Sequence, residues 1–193
     1  NNWIMITDKI QINLADITKI NTDAIVCSSN KSLFKGSWLS KFIYEAAGAK
    51  SVEGEALKFA PLDEGAVCFT QGYNLPARYI IHTVVPNLYS LKLKEGYVQR
   101  FSLCYISILK LAEQLNLKTV AIPPLGIGHC GWRLEEMAQI CIDSILWYLA
   151  KHQNTVLQEL VLVCRNEVQK AAYKNYLESE ELKNKFTGAD NIE

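Results

Sequence analysis

The chain has 193 residues, 49% of them apolar and 21% charged, and its 20 basic and 20 acidic residues cancel at neutral pH. That length fits one domain with a single core, able to bury about 70% of the surface of the unfolded chain. The charge balance excludes a net field drawing the protein to nucleic acid or an anionic membrane, and no apolar run approaches the roughly 20 residues of a membrane span. No sequence-specific nucleic-acid partner and no membrane partner is therefore expected. No signal peptide is visible, although a chain starting Asn1-Asn2 is readily part of a longer multidomain protein. The six cysteines (27, 68, 104, 130, 141 and 164) are scattered mostly through apolar runs without CxxC or metal spacing. They read as reduced core residues of an intracellular, cytoplasmic or nuclear protein, with no metal expected.

In chain order, residues 3–6 and 10–14 alternate like two strands around the turn Thr7-Asp8-Lys9, predicting an opening antiparallel pair. Residues 24–27 are a short apolar run ending in Ser28-Ser29-Asn30, as expected of a buried strand whose carboxyl end delivers polar side chains to a crevice. A helical period over 39–47 stops at Gly48, and 52–59 suggests a further helix. Residues 66–70 and 79–84 are two more strands, 96–115 a long helix, 119–122 a strand and 134–148 an amphipathic helix. The last strand is 160–164 and the last helix 168–177, after which 178–193 is charged enough to be a frayed or disordered tail. Residues 1–180 thus form one domain and 181–193 a polar C-terminal tail. Alternation of strand and helix predicts a three-layer α/β/α sandwich around a central mixed, mostly parallel sheet.

One loop stands out. Ala121-Ile122-Pro123-Pro124-Leu125-Gly126-Ile127-Gly128-His129-Cys130-Gly131-Trp132 leaves a strand, passes three glycines within six residues and enters a helix. Such a turn presents unpaired N–H groups where an anion can sit, and glycine lets a ligand approach the backbone with no Cβ in the way. The same residues read equally well as a tight turn with no ligand. His129 is the loop's one group able to act as a base near pH 7, or simply a solvated loop histidine. His82, inside an apolar strand, reads as a hydrogen-bonded core residue.

Several segments in order resemble the macrodomain family, whose members bind ADP-ribose: Leu14-Ala15-Asp16-Ile17-Thr18, then Thr22 to Asn30; Glu45-Ala46-Ala47-Gly48; Gly65 to Val84; and the glycine loop. The resemblance spans about residues 10–165 and implies ADP-ribose, or ADP-ribosylated protein, as the ligand, with no cofactor. It places Asp16 and Ile17 at the adenine and Asn30 at the distal ribose. A carboxylate suits the adenine amino group because charge-assisted hydrogen bonds are about twice as strong as neutral ones. On composition alone, Asp16 could instead cap the turn at Ile17, and Asn30 could be turn chemistry.

The resemblance also assigns the diphosphate to two loops: Gly36, Ser37 and Ser40 in the first, and Gly126, Ile127, Gly128, His129, Cys130 and Gly131 in the second. The first loop departs from the family pattern. Lys35-Gly36-Ser37-Trp38-Leu39-Ser40 keeps one glycine, and Ser40 stands where the hydrolase branch carries a catalytic aspartate. A serine hydroxyl is too weakly basic at neutral pH to activate water unaided. Three readings follow: an ADP-ribose binding module without efficient hydrolysis; an ADP-ribosyl-protein hydrolase with a replacement group, for which Asn30 and His129 are the candidates; or a degenerate scaffold whose pocket Ser37 and Trp38 fill.

Overall fold

In the computed structural model, residues 2–90 and 95–187 are described. Six strands form one sheet: β1 (Ile10–Leu14), β2 (Ala24–Ser28), β3 (Val67–Gln71), β4 (Tyr79–Thr83), β5 (Thr119–Ile122) and β6 (Glu159–Cys164), in the order β1-β6-β5-β2-β4-β3. Every pairing is parallel except that of β3 with β4, so the sheet is mixed and mostly parallel, as expected.

The inner strands are buried on both faces, and their side chains alternate between two cores. Ala24 and Val26 of β2, Val120 and Ile122 of β5, and Leu160 and Leu162 of β6 face one side, where α4 (Tyr97–Gln114), α5 (Leu134–Lys151) and α6 (Glu167–Leu177) pack. Ile25, Cys27, Ala121, Val161 and Val163 face the other, against α2 (Trp38–Ala47) and α3 (Ala49–Ala56). Two-sided burial explains the unbroken apolar runs, since each strand needs hydrophobic residues at every position. The parallel neighbours β2 and β5 end on the same edge of the sheet, which aligns the loops after them.

Three expectations are corrected. Residues 3–6 belong to a helix, α1 (Asn2–Thr7), that packs on α5, so there is no opening hairpin; β1 pairs instead with β6. The backbone of α1 carries on into its turn, with Asp8 N–H donating to Ile4 O and Lys9 N–H to Ile6 O. Residues 52–59 are not one helix: α3 starts earlier, directly after Gly48, and ends at Ala56, followed by a 3-10 turn, Leu57–Phe59. Part of the expected loose tail is a helix, α7 (Glu180–Thr187). Leu182 is fully buried, and Lys185 reaches the Asp143 and Glu181 carboxylates at 3.1 and 3.0 Å and the Tyr176 hydroxyl at 2.8 Å. Leu182 and Phe186, one turn apart, give this polar helix its apolar face. Residues 188–193 lie outside the described part. No helix of the described residues is long and apolar enough to cross a membrane.

Candidate functional site

The carboxyl ends of β1, β2, β4, β5 and β6 open onto one cavity of about 770 Å³. Asp16, Ile17, Asn30, Gly36, Ser37, Gly126, Ile127, His129 and Cys130 all line it. Ser40, Gly128 and Gly131 do not.

Asp16 follows β1 and has two engagements. Its Oδ1 accepts from the Thr18 N–H at 2.9 Å and the Thr18 hydroxyl at 2.6 Å, which is the cap anticipated as one alternative. Its Oδ2 has Lys19 at 3.9 Å as its partner and so remains open to a donor from the cavity. The Thr18 hydroxyl, foremost, holds this carboxyl below its ordinary range, so Asp16 is an anion at neutral pH.

Asn30 is engaged by its own loop. Its Oδ1 accepts from Phe34 N–H and Ser32 Oγ, both at 3.2 Å, and its Nδ2 donates to Phe34 O at 3.0 Å. One amide N–H remains for a ligand. Gly36 makes room for this arrangement, because a Cβ there would lie 2.6 Å from Asn30 Nδ2.

Ser40 is buried and reaches its own loop rather than the cavity. Its Oγ accepts from the N–H groups of Gly36 and Ser37 at 3.1 Å each, while Ser37 Oγ accepts from Ser40 N–H, closing a capping box at the start of α2. The Gly36 and Ser37 donors are therefore satisfied inside the protein. Those of Trp38 and Leu39 remain as the uncapped donors of the first turn.

The second loop differs. Gly126, Gly128 and Gly131 have φ near +75 to +80°, which puts L side chains under strain. The N–H groups of His129, Gly131 and Trp132 bond within the loop, and a parallel bridge between Ile127 and Trp132 draws the Gly128 N–H toward Trp132 O, whereas those of Ile127 and Cys130 have no partner among the described residues. The loop is anchored by Leu88 N–H on Cys130 O at 2.9 Å and by Trp132 Nε1 on Pro86 O at 2.8 Å. His129 is exposed and its side chain has no hydrogen-bond partner among the described residues, so nothing orients it as a base. Cys27 is fully buried, and burial pushes its thiol up to about 12, leaving it unreactive.

Other residues complete the cavity wall, and of these Arg165 and Glu64 were not nominated from the sequence. Trp38 does not fill the cavity: it is 60% exposed, stacks on Phe42 at 5.3 Å, and carries the Arg165 guanidinium 4.3 Å above its ring. Arg165 directly follows β6, a strand-end position that the crevice rule could have nominated. Glu64 brings a carboxylate, 3.6 Å from Arg100, and Ser29 a hydroxyl; only the second had a signal, as part of the polar end of β2.

The family model for the Macro domain matches residues 26–141. A macro domain-containing protein of Methanosarcina mazei is 35% identical over 161 residues, 83% of each chain. The human ADP-ribose glycohydrolase MACROD2 is 34% identical over 78% of this chain, which spans only 35% of that enzyme's length. Among solved structures, the Oceanobacillus iheyensis macrodomain with ADP superposes with a TM-score of 0.80 at 28% identity, over 91% of this chain and 92% of that one. The Trypanosoma brucei macrodomain in complex with ADP-ribose gives 0.79 at 26% identity, over 90% and 71%. With a family model matching more than half of the chain, a fold that superposes on solved macrodomains and a relative matching most of its length, the chain belongs to the macrodomain family.

Proposed function

We propose that this domain binds ADP-ribose, free or attached to protein, and does not hydrolyse it efficiently. The observation that carries the reading is one cavity offering both an Asp16 carboxylate oxygen held only by a long ion pair to Lys19 at 3.9 Å and the unpaired backbone donors of Ile127 and Cys130. A carboxylate acceptor suits an exocyclic amine, and loop N–H groups suit a diphosphate, so a nucleoside diphosphate satisfies both. The cavity's volume falls within the ordinary range for small-molecule sites, about 300–1,000 Å³, with Trp38 on its wall, and a cavity left that large speaks against a filled, scaffold-only pocket. The related structures holding ADP and ADP-ribose support the same ligand class.

Weak hydrolysis follows from the groups available. General-base assistance is worth about 10² to 10⁴-fold, and Ser40 is buried in its capping box while His129 lacks an orienting partner. The hydrolase reading is favoured by the cavity carboxylate of Glu64 and by the glycohydrolase relatives.

Calorimetric titration with ADP-ribose tests binding. Asp16→Asn keeps the Oδ1 cap and replaces the free oxygen by a donor, so it should weaken ADP-ribose by about 1–3 kcal/mol with little change in melting temperature. Equal loss of stability and affinity would make Asp16 a cap alone. Incubation with mono-ADP-ribosylated protein should show slow release; rapid release abolished by Glu64→Gln or His129→Ala would replace the binding reading with the hydrolase.

A further inference from the structure

Behind the cavity wall lies a buried polar cluster that the binding reading does not use. His82, on β4, is fully buried between Cys27 of β2 and Cys68 of β3, its partners in register. Its Nε2 is 3.0 Å from Thr70 Oγ1, and its Nδ1 is 3.3 Å from Ser29 Oγ and 3.5 Å from the Tyr44 hydroxyl. Ser29 is the one member of the cluster that lines the cavity.

The surrounding partners point to one direction for these protons. Thr70 is fully buried and His82 Nε2 is the one partner its hydroxyl has among the described residues, so the Thr70 proton goes to Nε2. The neutral ring then carries its own proton on Nδ1. Tyr44 donates its proton to Leu33 O at 2.9 Å and is left only as an acceptor. Nδ1–H therefore points at two oxygens, Ser29 Oγ being the nearer. With its oxygen accepting from His82, the Ser29 hydroxyl keeps its own proton to donate; among the described residues its takers are Cys27 Sγ at 3.8 Å, a weak acceptor, and the Tyr44 oxygen, so a ligand oxygen in the cavity competes on good terms.

We propose that Ser29 is a ligand-contacting residue positioned by His82, donating a hydrogen bond into the cavity to a hydroxyl or ring oxygen of the ligand's terminal sugar; this rests on the ADP-ribose reading above. Ser29 is not a nucleophile, because the imidazole nitrogen facing it holds a proton and has no lone pair to remove one. Burial also pushes the ring down to about 4, so it stays neutral at physiological pH. The sugar, rather than phosphate, follows from the neighbours. Ser29 N–H donates to Thr83 O at 2.8 Å and Gly65 N–H to Val84 O at 2.9 Å, so Ser29 and the residue after Glu64 flank the carboxyl end of β4. A carboxylate, a hydroxyl donor and the remaining Asn30 N–H at one end of the cavity match a polyol, which both donates and accepts. The Glu64 carboxylate, paired with Arg100 at 3.6 Å, is an acceptor that suits a hydroxyl, whereas a phosphate brings acceptors only.

The test combines nuclear magnetic resonance with titration. Long-range ¹H–¹⁵N spectra of the wild type should show His82 as the Nδ1–H tautomer; the Nε2–H tautomer would overturn the donor direction. Ser29→Ala, which removes one oxygen, should weaken ADP-ribose about five-fold, the worth of a neutral hydrogen bond, and leave ADP, which lacks the terminal sugar, unchanged. Equal weakening for both ligands, or none for ADP-ribose, would overturn the assignment. If the wild type binds neither ligand, the ADP-ribose reading itself fails and the proposal falls with it.

Discussion

Between Asn30 and Ser40 the chain is held by a set of side-chain hydrogen bonds, whereas between Gly126 and Trp132 it is held by backbone geometry, backbone hydrogen bonds and the packing of Trp132, whose indole N–H is the one side-chain donor engaged there among the described residues. The first loop leans on the Asn30 amide, the Ser37–Ser40 box and the Tyr44 hydroxyl under Leu33, which stands at positive φ. The second leans on glycines at positive φ and on Trp132, which meets Phe101 at 4.7 Å. Side chains that fold a loop onto itself consume its backbone donors, and glycines leave them free. The cavity is therefore one-sided toward an anion. Its polar loop should respond to pH and to loss of hydroxyls, and its glycine loop to steric bulk.

The largest effect is expected where bulk meets the second loop. A Cβ at Gly126 would lie 2.8 Å from both Trp132 and Val85 side chains, at φ +74°. Gly126→Ala should cost about 2–5 kcal/mol by urea denaturation, combining left-handed strain with overpacking, and should abolish ADP-ribose binding. Gly128, at φ +75°, has nothing within 4 Å of its Cβ position, so Gly128→Ala should cost only about 1 kcal/mol. Equal costs would mean that apolar contact does not hold this loop.

Acid separates the loops next. His82 has a folded pKa of about 4 against an ordinary 6.5, so between those values the unfolded chain binds more protons than the folded one. Its contribution is fully present above about pH 6.5 and is lost as pH falls toward 4, a change of about 3 kcal/mol. His82→Gln should flatten the stability profile across that window. A profile equally steep in the variant would place the acid sensitivity elsewhere.

The same contrast governs how much was legible in the sequence. β2 and β5 were legible because two-sided burial leaves continuous apolar runs, and Gly126 and Gly128 because positive φ leaves a compositional mark. α1 was not: six residues are too few to show a helical period against an alternating apolar pattern. Nor was α7, where Leu182 and Phe186 are the only apolar side chains among charges. In the site, the family resemblance put Asp16, Asn30 and the glycine loop in one place, but it could not say which atoms were already engaged. Asn30 turning onto Phe34, and Arg165 crossing to Trp38, depend on side-chain direction and on contacts between distant segments. Ser37-Trp38-Leu39-Ser40 has the spacing of a capping box, a role that the family pattern, with an aspartate at the Ser40 position, does not imply.

The smallest effect is the most direct way to erase the difference between the loops. Ser40 Oγ takes the N–H groups of Gly36 and Ser37, two residues on the cavity wall. Ser40→Ala removes that acceptor but leaves Ser37 Oγ to accept from the backbone N–H at position 40, so the helix keeps half of its box. Stability should fall by about 1 kcal/mol, within the ordinary range for a cap, read as a shift in the urea midpoint at unchanged slope. The two released donors would then join those of Trp38 and Leu39 at the N-terminus of α2, where the helix dipole favours an anion. Affinity for ADP-ribose should therefore hold or rise while stability drops. A parallel fall in both would mean that the capped form of the first loop is the one that binds, and that its donors serve the ligand by shaping the loop rather than by touching it.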